Sequence, residues 1–175
     1  KIGTASGSRP SGPFLRSSAN DAYAGWPDVA LAASRSDPVM LKSVLARGGD
    51  PEATTSTGQP ALHVAIAASS PATVGVLLDA GASPTRPDCA GHTPLGVAVS
   101  QGRKEIVQVL LERGASPNER GAGDSAPLTA AVRRSDASIV QLLLAHGAQV
   151  DTGRGDEASL ILATLRGDAA TVSVL

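Results

Sequence analysis

Apolar residues recur along the chain in short bursts with a narrow angular spread. Between Thr93 and Gly114, Leu95, Ala98 and Val99 stand at i, i+3 and i+4, and Ile106, Val107, Leu110 and Leu111 stand at i, i+1, i+4 and i+5. Both spacings place the apolar side chains on one stripe of a helix. Gly102 separates the two stripes, Thr93-Pro94 opens the first, and Gly114 followed by Ser116-Pro117-Asn118 closes the second. Glycine takes left-handed backbone at a helix end without steric cost, and proline cannot continue a helix. The pattern predicts helix, turn, helix, and then a loop rich in Gly, Pro and Asp, such as 85–91. Neither helix is long enough to stand alone in water, so stability must come from stacking.

The same unit repeats. Gly48, Gly81, Gly114 and Gly147 lie 33 residues apart, as do Val29, Leu62, Leu95 and Leu128, and Ala32, Ala65, Ala98 and Ala131. The pairs Val44-Leu45, Leu77-Leu78, Leu110-Leu111 and Leu143-Leu144 keep the same period, each ending three residues before its glycine. A fifth unit begins one residue early, with Leu160 and Ala163 in register, and stops at Leu175 where the first leucine of its pair should stand. The expected division is 1–23 as an extended or disordered arm and 24–175 as repeats, at about 24–54, 55–87, 88–120, 121–152 and a truncated 153–175. More repeats or a cap are expected beyond Leu175, where the array could serve an enzyme domain on the same polypeptide.

The unit at 91–118, GHTPLGVAVSQGRKEIVQVLLERGASPN, resembles the ankyrin repeat in its Gly, Thr-Pro-Leu, Ala, Gly, Ile-Val, Leu-Leu, Gly-Ala and Asn. The other units depart from the family's Thr-Pro-Leu-His opening, with PALH at 60–63, APLT at 126–129 and ASLI at 158–161, so no unit has both the threonine and the histidine. The resemblance implies an all-α solenoid of stacked helix-turn-helix units with β-hairpin-like loops, of ordinary stability. It also implies a non-catalytic protein-binding module.

Composition narrows the picture. Three aromatics, Phe14, Tyr23 and Trp26, all fall in the first 26 residues, and the rest of the core must be aliphatic. Charged residues are only 18%, below the roughly 25% typical of soluble domains, which leaves apolar or small surface for a partner to cover. The net charge is −1, so no overall field draws the chain to nucleic acid or to an anionic membrane. No apolar run is long enough to span a bilayer. Cys89 is the single cysteine, which with the absence of an Asn-x-Ser/Thr acceptor points to a reducing, intracellular and cytoplasmic setting. Of residues 1–20, half are Ser, Gly or Pro and none is acidic. That composition fits a linker or tag remnant, or the remains of an organelle transit peptide. The aromatics are expected to cover the exposed end of the first repeat, the alternative being that they anchor a partner.

Catalytic chemistry finds no constellation. His63, His92 and His146 are expected at a helix start, in a loop and at a helix end of three different units, too scattered for a metal or a nucleophile. Cys89 sits near a loop tip beside Asp88 as an inert thiol, and Gly121-Ala122-Gly123-Asp124 lacks the Gly-Lys-Ser/Thr of a phosphate cradle. Arg154-Gly155-Asp156 spells an adhesion tripeptide in a loop, too short a match to carry weight. No cofactor or metal is expected.

Recognition remains. The resemblance implies a concave groove lined by two positions just past the conserved alanine of each first helix: Ser34 and Arg35, Ala67 and Ala68, Ser100 and Gln101, Arg133 and Arg134, and Leu165 and Arg166. Loop tips add Gln59, Arg86, Cys89, His92, Arg120 and Arg154. The row becomes basic toward its C-terminal end, diluted by Glu119, Asp124 and Glu157, so the expected partner is a protein segment, acidic or phosphorylated. On the second helices the outward residues are ordinary in the third unit (Arg103, Lys104, Gln108, Glu112, Arg113). They are small in the second (Pro71, Ala72, Gly75 and Ala80, beside one Asp79) and the fifth (Ala169, Ala170, Ser173). That smooth back, with the arm, suits the alternative of an accessory subunit held permanently in a large complex.

Overall fold

The computed structural model describes residues 27–122, 126–150, 163, 164 and 167–175. Among them the regular structure is helical: α1 (Asp28–Ser34), α2 (Pro38–Ala46), α3 (Ala61–Ala67), α4 (Pro71–Asp79), α5 (Pro94–Ser100), α6 (Lys104–Glu112), α7 (Pro127–Arg133), α8 (Ala137–Ala145) and α9 (Ala169–Val174). The odd-numbered helices α1 to α7 have seven residues each and the even-numbered ones nine. Each seven-residue helix packs on the nine-residue helix that follows it and on its counterparts in neighbouring units, giving two layers. One layer runs α1, α3, α5, α7 and the other α2, α4, α6, α8, α9.

Local sequence sets the helix ends. Asp37, Ser70, Asp136 and Asp168 accept backbone N–H bonds at the starts of α2, α4, α8 and α9, satisfying donors that a helix cannot satisfy itself. Thr93 does the same for α5, with Oγ1 3.1 Å from the Gly96 nitrogen. The turn between the two helices of a unit passes through one left-handed residue, at Ser36 (φ 55°), Ser69 (φ 59°), Gly102 (φ 70°), Ser135 (φ 57°) and Gly167 (φ 67°). Glycine is at ease there and serine is not. The loops between units are hairpin-like: Thr54 bridges Pro60 in antiparallel fashion, and the Asp88 N–H donates to the His92 carbonyl at 2.9 Å.

The core is the seam between the layers. Leu41, Ile66, Leu77, Leu95, Ile106, Leu110, Leu128, Ile139 and Leu143 are among its largest fully buried side chains, and Ala32, Ala65, Ala98 and Ala131 have no exposed surface at all. Polar contacts then staple each unit to the next. Arg86 donates to the Glu52 carboxylate at 2.5 Å and to the Glu52 carbonyl at 3.0 Å. Arg113 pairs with Asp79, and Asn118 bonds both the Gly147 carbonyl (3.0 Å) and the Gln149 N–H (2.8 Å). The two arginine pairs are largely solvent-exposed, so each is worth at most about 1 kcal/mol and sets register more than stability.

One unit solves its packing differently. A Cβ on Gly49 would stand 2.8 Å from Val29 Cγ2, 2.9 Å from the Val44 carbonyl oxygen and 3.0 Å from Val44 Cγ1. The equivalent residues elsewhere are Ala82, Ala115 and Ala148, opposite leucines in place of both valines. The γ-methyls of valine branch close to the backbone and occupy the volume an alanine methyl fills in the other units. Gly49→Ala should therefore cost about 1–3 kcal/mol by overpacking, read as a drop in the urea midpoint. Val29→Leu and Val44→Leu made together with it should recover part of that loss, a coupling that independent sites would not show. Ser69→Gly should stabilise the protein by roughly 0.5–1 kcal/mol, the left-handed penalty of a side chain exceeding the extra unfolded-state entropy of glycine. Ser36→Gly should gain less, because Ser36 Oγ bonds the Ala68 carbonyl at 3.2 Å.

Candidate functional site

Those of the residues singled out for recognition that are described fall on two adjoining features: the C-terminal ends of the seven-residue helices and the tips of the inter-unit loops. Arg35, Gln101 and Arg134 are the residues that close α1, α5 and α7, Ser100 and Arg133 are the last residues of α5 and α7, and all five are exposed. In the second unit the same positions are Ala67 and Ala68. The row thus runs from one arginine through two alanines and a Ser-Gln pair to two adjacent arginines.

Arg134 reaches back to the preceding unit. Its Nη1 donates to the Ser100 carbonyl at 2.8 Å, meeting an acceptor that α5 leaves open at its end. A Cβ at Gly102 would fall 2.5 Å from Arg134 Nη2, so the guanidinium lies over the one unit turn of the first four that lacks a side chain. Gly102 therefore serves both the left-handed turn and the seat of the arginine. Ser100 itself is anchored, its Oγ donating to the Val97 carbonyl at 2.8 Å.

At the loop tips, Asp88 organises its neighbours. Its Oδ1 accepts the N–H groups of Ala90 (2.9 Å) and His92 (2.8 Å), and its Oδ2 lies 3.2 Å from His92 Nδ1. Burial disfavours the Asp88 carboxylate, but these bonds together outweigh it and hold the group below its ordinary value. Cys89 projects at the exposed tip as a free thiol, and a Cβ on Gly58 would come within 3.8 Å of its Cβ, so successive tips stand close together. Ala122 continues the line, donating its N–H to the Gly91 carbonyl at 2.8 Å. Gln59 is half-buried, with both its N–H and its carbonyl bonded to Thr55. Arg86 is tied to Glu52, and Arg120 is exposed in the loop before α7.

His63 and His92 do not stay as far apart as their separate units suggested. His63, in α3, is 1% exposed, and its Nε2 meets the His92 carbonyl at 3.0 Å. A carbonyl only accepts, so Nε2 carries the proton and Nδ1 is left as a buried lone pair with no partner. At the opening position of that unit stands Pro60, where the third unit has Thr93, and proline brings no hydroxyl to Nδ1. Burial pushes the His63 imidazole below its ordinary value; the bond to His92 and the charge of Asp88 oppose this without reversing it, while His92 and Arg86 add to it. The arrangement is structural: His63 fastens the second unit to the loop of the third. His146 closes α8, and no group of three His, Cys, Asp or Glu among the described residues could hold a metal.

Arg154, Arg166, Leu165, the Arg154-Gly155-Asp156 tripeptide, Gly123-Asp124 and the aromatics Phe14, Tyr23 and Trp26 lie outside the described residues. Sequence reasoning missed Glu52 and Asp88 as organisers and the backward reach of Arg134. A recurring 34-residue interval between Arg86 and Glu52, Arg113 and Asp79, and Arg134 and Ser100 was the available signal.

His63 gives the site a pH dependence whose sign is fixed. Its native pKa lies below the unfolded value, so the unfolded chain binds the extra proton, and stability falls as pH drops below about 6.5 toward the native pKa. The Asp88 carboxylate, also lowered, adds a further loss at more acidic pH, below its ordinary 3.8. The urea midpoint of the native chain should fall between about pH 7.5 and pH 5, and a His63→Gln variant should show a flatter profile over that window.

Comparison with known proteins agrees with the geometry. A family model for ankyrin repeats in three copies matches residues 29–121, and a single ankyrin repeat matches residues 124–153. No curated protein matches the chain at a significant level. No helix among the described residues is long and apolar enough to cross a membrane. With helix pairs stacked in two layers, left-handed turns in register and more than half of its length matched, the chain belongs to the ankyrin-repeat family, whose repeats are generally protein–protein interaction modules.

Proposed function

We propose that the chain binds a partner protein through the row formed by the ends of α1, α3, α5 and α7 and the adjoining loop tips, and that the partner presents an acidic segment to the fourth unit. The observation that carries this reading is the pair Arg133 and Arg134, both exposed, with Arg134 held at 2.8 Å by the Ser100 carbonyl. A guanidinium already fixed in place loses little side-chain entropy on binding, and its planar fork matches a carboxylate or phosphate in two-point contact. The uncharged residues Ala67, Ala68, Ser100 and Gln101 alongside place no competing charge in the path of an extended segment.

A second reading has one observation of its own. Gly75 sits in the middle of α4, and a Cβ there would meet nothing within 4 Å. The chain accepts the helix-weakening effect of glycine, about 1 kcal/mol, at a place where its own packing asks for none. With Ala72 exposed on the same helix and Ala80 exposed just past its end, this favours the accessory-subunit alternative, in which the back of the array lies against a large partner.

Titration of the full chain with fluorescently labelled glutamate-rich peptides, with phosphopeptides as a second arm, tests the first reading. Binding should weaken with added salt and fall at least about tenfold in an Arg133→Glu, Arg134→Glu variant of unchanged helicity, because each such contact contributes on the order of 1.5–3 kcal/mol. Equal affinity in the variant rejects the basic row as the site.

A further inference from the structure

One cation of the binding row is seated by a residue that lies outside the row. Among the described residues, the turns between paired helices pass through Ser36, Ser69, Gly102, Ser135 and Gly167. The register sets Ala68 of the next unit opposite Ser36, Gln101 opposite Ser69, and Arg134 opposite Gly102. Glycine stands where the arginine arrives. Left-handed backbone alone does not account for it, because serine adopts the same conformation at Ser36, Ser69 and Ser135, with φ 55°, 59° and 57°.

The space that Gly102 leaves is filled. A Cβ there would fall 2.5 Å from Nη2, 3.1 Å from Cζ and 3.2 Å from Nε of Arg134, so the guanidinium occupies the place of the missing side chain. Gly167 differs, since a Cβ there would meet nothing within 4 Å. From this seat Arg134 Nη1 donates to the Ser100 carbonyl at 2.8 Å, at the end of α5, where open carbonyls carry partial negative charge that favours a cation. A side chain on residue 102 would displace the guanidinium and leave Arg134 to sample the rotamers of an ordinary exposed arginine.

We propose that Gly102 is a positioning residue of the binding row: by leaving the seat open it fixes Arg134 before an acidic segment arrives. A glutamate or aspartate carboxylate of that segment then docks at the junction of the third and fourth units. The inference rests on the acidic-segment reading above, and it assigns part of the affinity to a residue that carries no charge and acts only through Arg134. Immobilising one rotamer-rich side chain on binding weakens association by about two- to tenfold, and the seat removes that cost in advance.

The full chain and a glutamate-rich peptide test this. Gly102→Ser should keep the native helicity, since serine already serves three of the other turns, and it leaves the net charge unaltered. Its affinity for the peptide should fall about two- to tenfold, with the slope of affinity against salt unchanged because the same charges meet. Gly102→Ala, whose methyl cannot bond the guanidinium, should behave alike, and in an Arg134→Gln background neither substitution should weaken binding further. Side-chain nitrogen NMR reads the seat without the peptide: the Arg134 guanidinium should rotate slowly in the native chain and freely in either variant. Free rotation in the native chain overturns the proposal and needs no variant to fold, and slow rotation that persists in Gly102→Ser overturns it too. An equal loss of affinity in the Arg134→Gln background overturns it by assigning the effect to the fold. Absence of peptide binding by the native chain overturns the acidic-segment reading and this inference together. Binding abolished by Arg133→Glu, Arg134→Glu but untouched by Gly102→Ser overturns this inference alone.

Discussion

Each helix of seven or nine residues in this array is held by apolar surface shared with its counterpart in the next unit. Nucleating a helix costs more than a single turn returns, so none of these segments persists without the neighbour that buries its stripe. The spacing between neighbours is set by the alanine column Ala32, Ala65, Ala98 and Ala131, which has no exposed surface. Leu62, Leu95 and Leu128 fill the remaining volume, and an aromatic ring would force the layers apart. The absence of aromatics after residue 26 is thus a property of the stacking distance.

That same constraint made the fold legible. A period of 33 residues in glycine, leucine and alanine can be read from a bare sequence because stacking forces every unit to repeat its inward face. The helix ends were legible too, since Gly102 and Gly114 stand where the backbone must turn left-handed, at φ 70° and 89°. What the period concealed was variation under the same backbone. Ser36, Ser69 and Ser135 take the left-handed turn without being glycine, and Gly49 replaces an alanine because two valines crowd it, a three-body packing arrangement with no signature along the chain.

The candidate site was legible in its location and less so in its chemistry. The positions just past the repeating alanine come from the family resemblance carried onto the register, and Arg35, Gln101, Arg133 and Arg134 are exposed there. Which of these side chains is already engaged depends on contacts between units, and those become visible only when the helices are stacked. Arg134 looked like a free cation by sequence and instead closes the end of α5, while Arg86 is paired with Glu52 across a loop. His63 looked like one member of a scattered set, and it is the buried link between two units, with one nitrogen bonded and the other without a partner.

The polar staples between units fall at different places in the unit, even where two share the same arginine–carboxylate chemistry. Glu52 needs Arg86, Asp79 needs Arg113, Ser100 offers its carbonyl to Arg134, His63 takes the carbonyl of His92, and Asn118 spans to Gly147 and Gln149. The apolar columns, by contrast, are nearly interchangeable. Recombination that duplicates, deletes or reorders a unit would leave the hydrophobic seam intact while separating these partners, stranding a cation beside an alanine or a carbonyl beside nothing. The order of units is therefore written in the polar contacts rather than in the core, and the array is addressed like a sequence of mated pairs rather than built from identical bricks.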